Sequence, residues 1–338
     1  MAATLHDVAR LAAVSIKTVS NVVNDYPHVR PATRDRVLQA IDELNYQPNL
    51  SARSLRSGRS GVIGLVLPEL SLSYFAELAD SVIANAEKHG LVVLIEQTGA
   101  DRDREIAVLS SPRMQLTDGL IFSPLGMSQD DVGTLQVDFP LVLLGERIFG
   151  GPVDHVTMRN VDAARAATEL LIRSGRRRIA LIGAHLEEDI GSAALRMQGY
   201  AEALDAAGIA FDSDLVRTTT LWHRSNGAAA VRELLDSGTE FDAVFGLNDA
   251  LALGAMRALQ EAGIRIPDDV ALIGFDDIEE AQYTLPSLTT VNPGREQIAA
   301  RAVDMLVARI KAGGGRPEDP QHELVDFDVV QRESAVFT

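Results

Sequence analysis

From Val62 onward the chain repeats one alternation: a short apolar run rich in β-branched residues, then an amphipathic stretch of helical period. "GVIGLVLP" is followed by "YFAELADSVIANAEKHG". "LVVLIEQ", "DGLIFSP", "PLVLLGE", "HVTMRN", "RRIALIG", "AVFGL" and "VALIGFDD" supply further short runs. Among them, "VDAARAATELLIRSG", "MQGYAEALDAAG" and "NDALALGAMRALQEAG" carry apolar residues three and four apart. Neighbouring parallel strands need a crossover between them, usually a helix, so this pattern predicts parallel sheets covered by helices on both faces. The chain has 338 residues, more than one compact core accommodates, and two such α/β lobes account for the length of this body.

Ligands of open parallel sheets bind in the crevice beyond the carboxyl ends of the strands. The residues just after each run are therefore the candidates for a binding site. They are Tyr74 and Phe75, Ser123, Glu146 and Arg147, Ile190, Ser192 and Arg196, Trp222 and His223, Asn248 and Asp249, and Asp276. The aromatic members suit the flat or apolar face of a small molecule, and the charged members suit its hydroxyls.

The first sixty residues have a different texture. They hold eight Lys/Arg against five Asp/Glu, a balance of +3, on a chain whose net charge is -17. Such asymmetry suggests a small polyanion-binding module on an acidic body. Thr4-Leu-His-Asp7 reads as a capped helix start, with Leu5, Val8 and Leu11 on one apolar face. Ser15 is suited to cap a second helix, in which Val19, Val22 and Val23 point one way and Ile16, Lys17 and Asn21 the other. A third helix starts at Pro31, carries Val37, Ile41 and Leu44 as its core stripe, and stops at Asn45-Tyr46-Gln47-Pro48. Two short helices joined by a tight turn follow the helix-turn-helix plan, although by pattern alone a three-helix bundle with no nucleic-acid role fits as well.

The stretches "TLHDVARLAAVSIKTVSNVVN" and "RVLQAIDELNYQPNLSARSLRSGRSGVIGLVLP" closely resemble the head of the LacI/GalR family of bacterial transcription regulators. The "DVA…TVS…N" pattern, the "LNYxPN" exit and the "ARxL" segment stand in order at the family spacing. The resemblance implies an all-α helix-turn-helix head on a two-lobed, periplasmic-binding-protein-like α/β core with parallel sheets. The implied divisions are 1–47 for the head, 48–61 for a hinge helix and linker, and 62–338 for the core. Within the core, the first lobe takes about 62–160 and 292–320, and the second about 161–291 and 321–338. Crossovers between lobes are expected near Asn160, Asn292 and Pro320.

The same resemblance implies roles for single residues. The helix after Ser15 lies in the major groove of operator DNA. There Lys17 donates to guanine, Asn21 pairs with adenine and Ile16 packs on a thymine methyl. Ser15, Thr18 and Ser20 suit phosphate contacts or capping, and Arg10, Arg30 and Arg34 reach the backbone. In the hinge, Leu55 wedges a base step from the minor groove, Ala52 allows close approach, and Arg53 or Arg56 holds phosphates. In the core, Arg196, Trp222, Asn248 and Asp276 match positions that contact effectors. Planar Arg and Asp groups suit vicinal hydroxyls and Trp suits a pyranose face, which favours a sugar. Ile190 and Ser192 stand where purine-binding members carry an Arg/Thr pair, although Tyr74-Phe75 is similar to the purine-repressor type. A metabolite-responsive corepressor is thus the alternative regulator, and a sugar-binding protein without a DNA role is the alternative of another class. The helix "YFAELADSVIANAEKHG" is expected to help form a homodimer, and no Leu heptad tail of the tetrameric kind follows Gln331-Arg-Glu-Ser334.

Composition bounds the chemistry. There are no cysteines, and the seven His, at 6, 28, 89, 155, 185, 223 and 322, have no metal-ligand spacing. The chain has no nucleophile elbow, phosphate-binding Walker motif or dinucleotide glycine fingerprint. These observations predict a protein that is not an enzyme and uses no metal or cofactor. With no apolar run of bilayer length and no secretory leader at the N-terminus, the expected location is the cytoplasm, away from membranes.

Overall fold

The computed structural model describes residues 3–23, 26–46, 59–187 and 190–336. The chain divides into two compact units, residues 1–60 and 61–338. The expected hinge residues Ala52, Arg53, Leu55 and Arg56 lie outside the described residues.

In the first unit, α1 (Leu5–Leu11), α2 (Ile16–Val23) and α3 (Pro31–Glu43) pack around Val8, Val19 and Val37, all fully buried. The Thr4 hydroxyl accepts from the Asp7 N–H at 3.3 Å, and the Asp7 carboxylate accepts from the Thr4 N–H at 3.0 Å. These two bonds satisfy helix-end donors reciprocally. Ser15 caps α2 by accepting from the Thr18 N–H at 3.1 Å. The expected apolar face of α1 is corrected at Leu11, which is 45% exposed, whereas Val8, Ala9 and Ala12 are buried. Six residues at 3.6 per turn carry Leu11 about 120° away from Leu5, while Ala12 returns to the face of Val8. The turn between α1 and α2 needs a left-handed residue, and Ala13 supplies it with φ +51°.

The second unit has two lobes. In the first, β1 (Val62–Leu67), α4 (Ser73–Lys88), β2 (Val92–Gln97), α5 (Arg102–Leu109), β3 (Leu120–Phe122), β4 (Leu141–Leu144) and β5 (Asp154–Met158) follow in order. In the second, the order is α6 (Asn160–Arg173), β6 (Ile179–Ala184), α7 (Ser192–Ala206), β7 (Val216–Thr218), α8 (Arg224–Asp236), β8 (Ala243–Gly246), α9 (Asp249–Glu261) and β9 (Ala271–Ile273). The remaining elements are β10 (Thr290–Asn292), α10 (Arg295–Lys311), β11 (His322–Val325) and β12 (Asp328–Val330); α10 packs on α4 and the strands of the first lobe, and β10 and β12 lie where the chain crosses between the lobes.

The first sheet runs β11-β5-β4-β3-β1-β2 and the second β7-β6-β8-β9, with every pair parallel. β1, β3 and β4 are buried nearly throughout, as β-branched runs covered by helices on both faces should be. β10 and β12 form an antiparallel ribbon, and Thr289 extends β9 through a bridge to Ile273.

The third crossover departs from the expectation near Pro320. Residues 322–325 add β11 to the first lobe, in register with β5 (His322 opposite His155), and the chain crosses only between Val325 and Asp328. The cause is an ion pair in the first lobe. Arg309 of α10 grips the buried Asp154 with two bonds of 2.7 and 2.8 Å, and Asp154 also accepts from the Gln321 N–H at 2.8 Å. That anchor delivers the strand to the edge of β5 before it can leave.

Candidate ligand cavity and DNA-reading face

The carboxyl ends of both parallel sheets face one cavity of about 430 Å³. Of the thirteen candidate residues, eleven line it: Tyr74, Phe75, Ser123, Glu146, Arg147, Ser192, Arg196, Trp222, His223, Asn248 and Asp276; Asp249, buried at the start of α9, does not. Ile190 is not on the wall and is 37% exposed; its carbonyl lies 3.5 Å from the Arg147 guanidinium.

Arg196, at the start of the second turn of α7, is almost fully buried. Its Nε donates to Asn160 Oδ1 at 2.8 Å, its Nη1 donates to the Leu247 carbonyl, and its Nη2 lies 3.6 Å from the Met158 sulfur. The guanidinium sits 3.5 Å from the centre of the Phe275 ring and 5.3 Å from that of Trp222. Burial lowers its pKa, and the nearby carboxylates of Asp276 and Glu146 oppose that shift. Arg196 therefore ties together the end of β5, the end of β8 and the aromatic wall.

Asp276 follows β9. Its backbone lies in the left-handed half of conformational space at φ +126°, and Asp277 follows at φ +51°. Strain of this kind persists only where the surroundings impose it. Here the Asp276 N–H donates to Val291 O at 2.8 Å and Arg295 donates to Asp276 O at 3.0 Å. Asp277 accepts from Arg332 at 2.6 Å and from Asn292 at 3.0 Å. Asp249, wholly buried at the start of α9, accepts from the Ile278 N–H at 3.0 Å and the Thr290 hydroxyl at 2.6 Å. The loop that aims Asp276 is thus clamped to the segments that cross between lobes. Burial holds the Asp276 carboxyl well above the usual carboxylate range despite Arg196 at 4.0 Å.

Trp222 donates its indole N–H to the Gly183 carbonyl at 2.9 Å, so what it offers the cavity is its carbon surface. Gly183 has φ +106°, and a Cβ there would stand 2.5 Å from Leu251 and 3.2 Å from the indole nitrogen, so the close approach needs glycine. Asn248, expected to contact an effector, is committed twice to the protein. It caps α9 by accepting from the Leu251 N–H at 2.8 Å and donates to Trp222 O at 3.1 Å, which makes it the residue that seats the tryptophan. Glu146 accepts from Thr157 and Ser192, each at 2.6 Å, joining the two lobes across the cavity. Burial, with Asp276 and Glu146 nearby, raises the pKa of the Tyr74 hydroxyl and keeps it a donor.

The strand-end rule as applied passed over Glu69 and Ser73, which line the same cavity. Glu69 lies two residues beyond β1 and meets His223 of the opposite lobe at 2.9 Å. Its position after a strand was the available signal. Ser73 and Arg224 both bond Glu280, at 2.7 and 3.0 Å, beside that pair.

In the head, α2 turns Val19 and Val22 into the core and leaves Ile16 and Lys17 exposed, with Asn21 half-buried. Ser15 and Thr18 bond each other at 2.8 Å at the start of the helix. Arg34 reaches back to the Tyr26 carbonyl at 2.8 Å. Ser20, expected at phosphates, is buried and does not share that face. Among the described residues no group of acidic or histidine side chains is arranged to hold a metal, and no helix is long and apolar enough to cross a membrane.

Family comparisons agree with this architecture at both ends of the chain. Residues 4–49 match the model for bacterial regulatory proteins of the lacI family, and residues 168–335 match the periplasmic binding protein-like domain. The HTH-type transcriptional regulator CelR of Thermobifida fusca is 36% identical over 98% of each chain. A LacI-family transcriptional regulator from Sanguibacter keddieii DSM 10542 is 55% identical, with a TM-score of 0.76 over 82% of this chain and 99% of its own. The lac repressor dimer bound to operator and the anti-inducer ONPF is 27% identical, with a TM-score of 0.82 over 99% of this chain and 100% of that one. These relatives are regulators of transcription rather than enzymes. An N-terminal helix-turn-helix joined to a two-lobed core of parallel sheets, together with identity along the whole length, shows that the chain belongs to the LacI family of bacterial regulatory proteins.

Proposed function

We propose that the protein is a cytoplasmic repressor of sugar-utilisation genes that binds a palindromic operator as a homodimer and leaves it when a sugar enters the cavity between its lobes. The observation that carries the DNA half is the division of α2 into a buried valine face and an exposed face bearing Ile16 and Lys17. Lys17, Asn21 and Ile16 read bases, while Ser15, Thr18 and Arg34 position the helix on phosphates. The effector half is supported by the polar and aromatic lining and by the clamp on Asp276. A ligand hydroxyl bonded to Asp276 pulls on a loop whose ties run to Val291, Asn292 and Arg295, in the segment that crosses between lobes. A change in lobe orientation then reaches the head through the connecting segment 48–61, where Ala52, Leu55 and Arg56 hold the minor groove. Effector and operator affinities are reciprocally coupled.

The test of the reading face is operator selection with Lys17→Ala from a randomised half-site. The expected result is relaxed preference at one base pair in each half-site, at about 1–3 kcal/mol of discrimination. A uniform loss across all sequences would move Lys17 to the phosphates instead.

A further inference from the structure

Resting on the sugar reading of the cavity, we infer that its ligand is a neutral sugar of two linked rings, and that free monosaccharides, sugar phosphates and purines are poor ligands. The first observation is a carboxyl without a partner. Asp276 is nine-tenths buried and lines the cavity, yet none of the hydrogen bonds among the described residues reaches its carboxyl oxygens. Its nearest cation, Arg196, stops at 4.0 Å. The carboxyl opens on the cavity with no hydrogen-bond partner among the described residues, and the hydroxyl groups of a sugar, which both donate and accept, supply one.

The second observation is charge. The wall carries two carboxylates, on Glu69 and Glu146, and the Asp276 carboxyl, whose ionisation burial opposes, against two guanidinium groups, on Arg147 and Arg196. Both guanidinium groups are already engaged. Arg196 serves Asn160 and Leu247 and lies against Phe275, and Arg147 donates to Met127 O at 3.1 Å and reaches Ile190 O at 3.5 Å. Of the two histidines on the wall, His223 is engaged by Glu69, and His185 stands beside Trp222 with ring centres 5.9 Å apart. A phosphate or a uronic acid entering this site finds both wall guanidinium groups committed and must displace existing bonds to reach one, so ionic ligands are disfavoured.

The third observation is size. The cavity holds about 430 Å³. At about 15 Å³ per non-hydrogen atom in close packing, a single hexose fills about 180 Å³ and a disaccharide about 350 Å³. One ring would leave more than half of the cavity to water, whereas two rings fill about four-fifths of it. Two apolar surfaces are available for two rings: Tyr74 and Phe75 enter from the first lobe, packed edge to face at 5.2 Å, and Trp222 from the second.

The experiment is calorimetric titration of the full-length protein, in parallel, with glucose, galactose, glucose 6-phosphate, hypoxanthine, and the glucose- and galactose-containing disaccharides cellobiose, maltose, trehalose, lactose and melibiose. The expected result is that at least one disaccharide binds tenfold or more tightly than its free monosaccharides, and that glucose 6-phosphate and hypoxanthine are silent. Asp276→Asn is expected to weaken that disaccharide tenfold or more. If that variant does not fold, the comparison among ligands on the parent protein decides alone. A monosaccharide binding as tightly as every disaccharide overturns the two-ring inference and leaves the sugar reading standing. Preferential binding of glucose 6-phosphate or hypoxanthine overturns the neutral inference and the sugar reading together. Silence across all the disaccharides overturns the inference, and operator binding measured on the same sample by fluorescence anisotropy separates that failure from loss of the DNA-binding reading.

Discussion

Gly254 sits in the middle of α9, where that helix crosses α8. A Cβ at this position would stand 2.7 Å from the carbonyl carbon of Arg224, 2.8 Å from the Ala228 nitrogen, and well inside the contact distance of the Arg224 oxygen. All three atoms are backbone, so no side chain can rotate away. The Arg224 oxygen is the nearest of them at 1.8 Å, and restoring an ordinary separation near 3.5 Å requires the first turn of α8 to move by about 1.7 Å. Overpacking of this kind costs about 1–3 kcal/mol, and here the upper end applies because the struck atoms belong to a helix start. Alanine returns about 1 kcal/mol through helix propensity. Gly254→Ala is therefore expected to destabilise the core by about 2 kcal/mol, which lowers Tm by about 5 °C in a unit of this size. The displaced turn begins at Arg224, directly after Trp222 and His223 of the cavity wall, so effector affinity should fall with stability. The assay is thermal unfolding followed by tryptophan emission, since Trp222 is the only tryptophan in the chain. Gly133→Ala is the control, because nothing lies within 4 Å of the Cβ built there. If Gly254→Ala melts within a degree of the parent, and its emission maximum is unchanged, the close helix crossing is wrong and so is its link to the cavity.

Two further perturbations have signs set by the structure. Ala13→Gly should stabilise the head, since relieving a left-handed alanine returns about 1–2 kcal/mol while the freer unfolded chain takes back about 0.4–1; the urea midpoint of the head's transition should rise, and a fall would mean that the turn is not left-handed. Burial pushes the Asp249 carboxyl from 3.8 to about 7, so the native state holds a proton that the unfolded chain has released between those values. That contribution to stability is complete below pH 3.8 and is lost as pH rises through 7, at about 1.4 kcal/mol per pH unit within the window. Asp249→Asn keeps the shape and removes the titration, so its stability relative to the parent should increase from pH 5 to pH 7.5; a constant difference between the two urea midpoints would contradict the buried placement of Asp249.

Much of the site was legible because the strand-end rule needs only local information. Parallel strands deliver their carboxyl ends to one side, so Tyr74, Ser123, Glu146, Arg196, Trp222 and Asp276 had to converge once the βα alternation was recognised. The rule says where a residue begins, not whom it serves. Asn248 reaches the cavity but spends its amide on α9 and on Trp222. Arg196 is held by Asn160, Leu247 and the Phe275 ring, three partners scattered through the sequence. The helix over Arg295–Lys311 carries a regular apolar stripe, including Ile298, Ala302 and Leu306, and the reading of the body passed over it.

By itself the sequence determined the helix-turn-helix, through the Thr4–Asp7 and Ser15 caps and the valine face of α2, and it determined two parallel α/β lobes through the spacing of apolar residues. Those signals act over a few residues, so they survive without knowledge of the rest of the chain. Only the tertiary structure decided that His322–Val325 joins the first sheet, because a short strand of mixed exposure has no local preference for an edge, and the Arg309–Asp154 anchor that selects one is 155 positions long. Only the tertiary structure paired Glu69 with His223 and left the Asp276 carboxyl open to the cavity with no hydrogen-bond partner among the described residues. Contacts between residues so far apart are set by how the lobes close, and closure is a property of packing that no local pattern encodes.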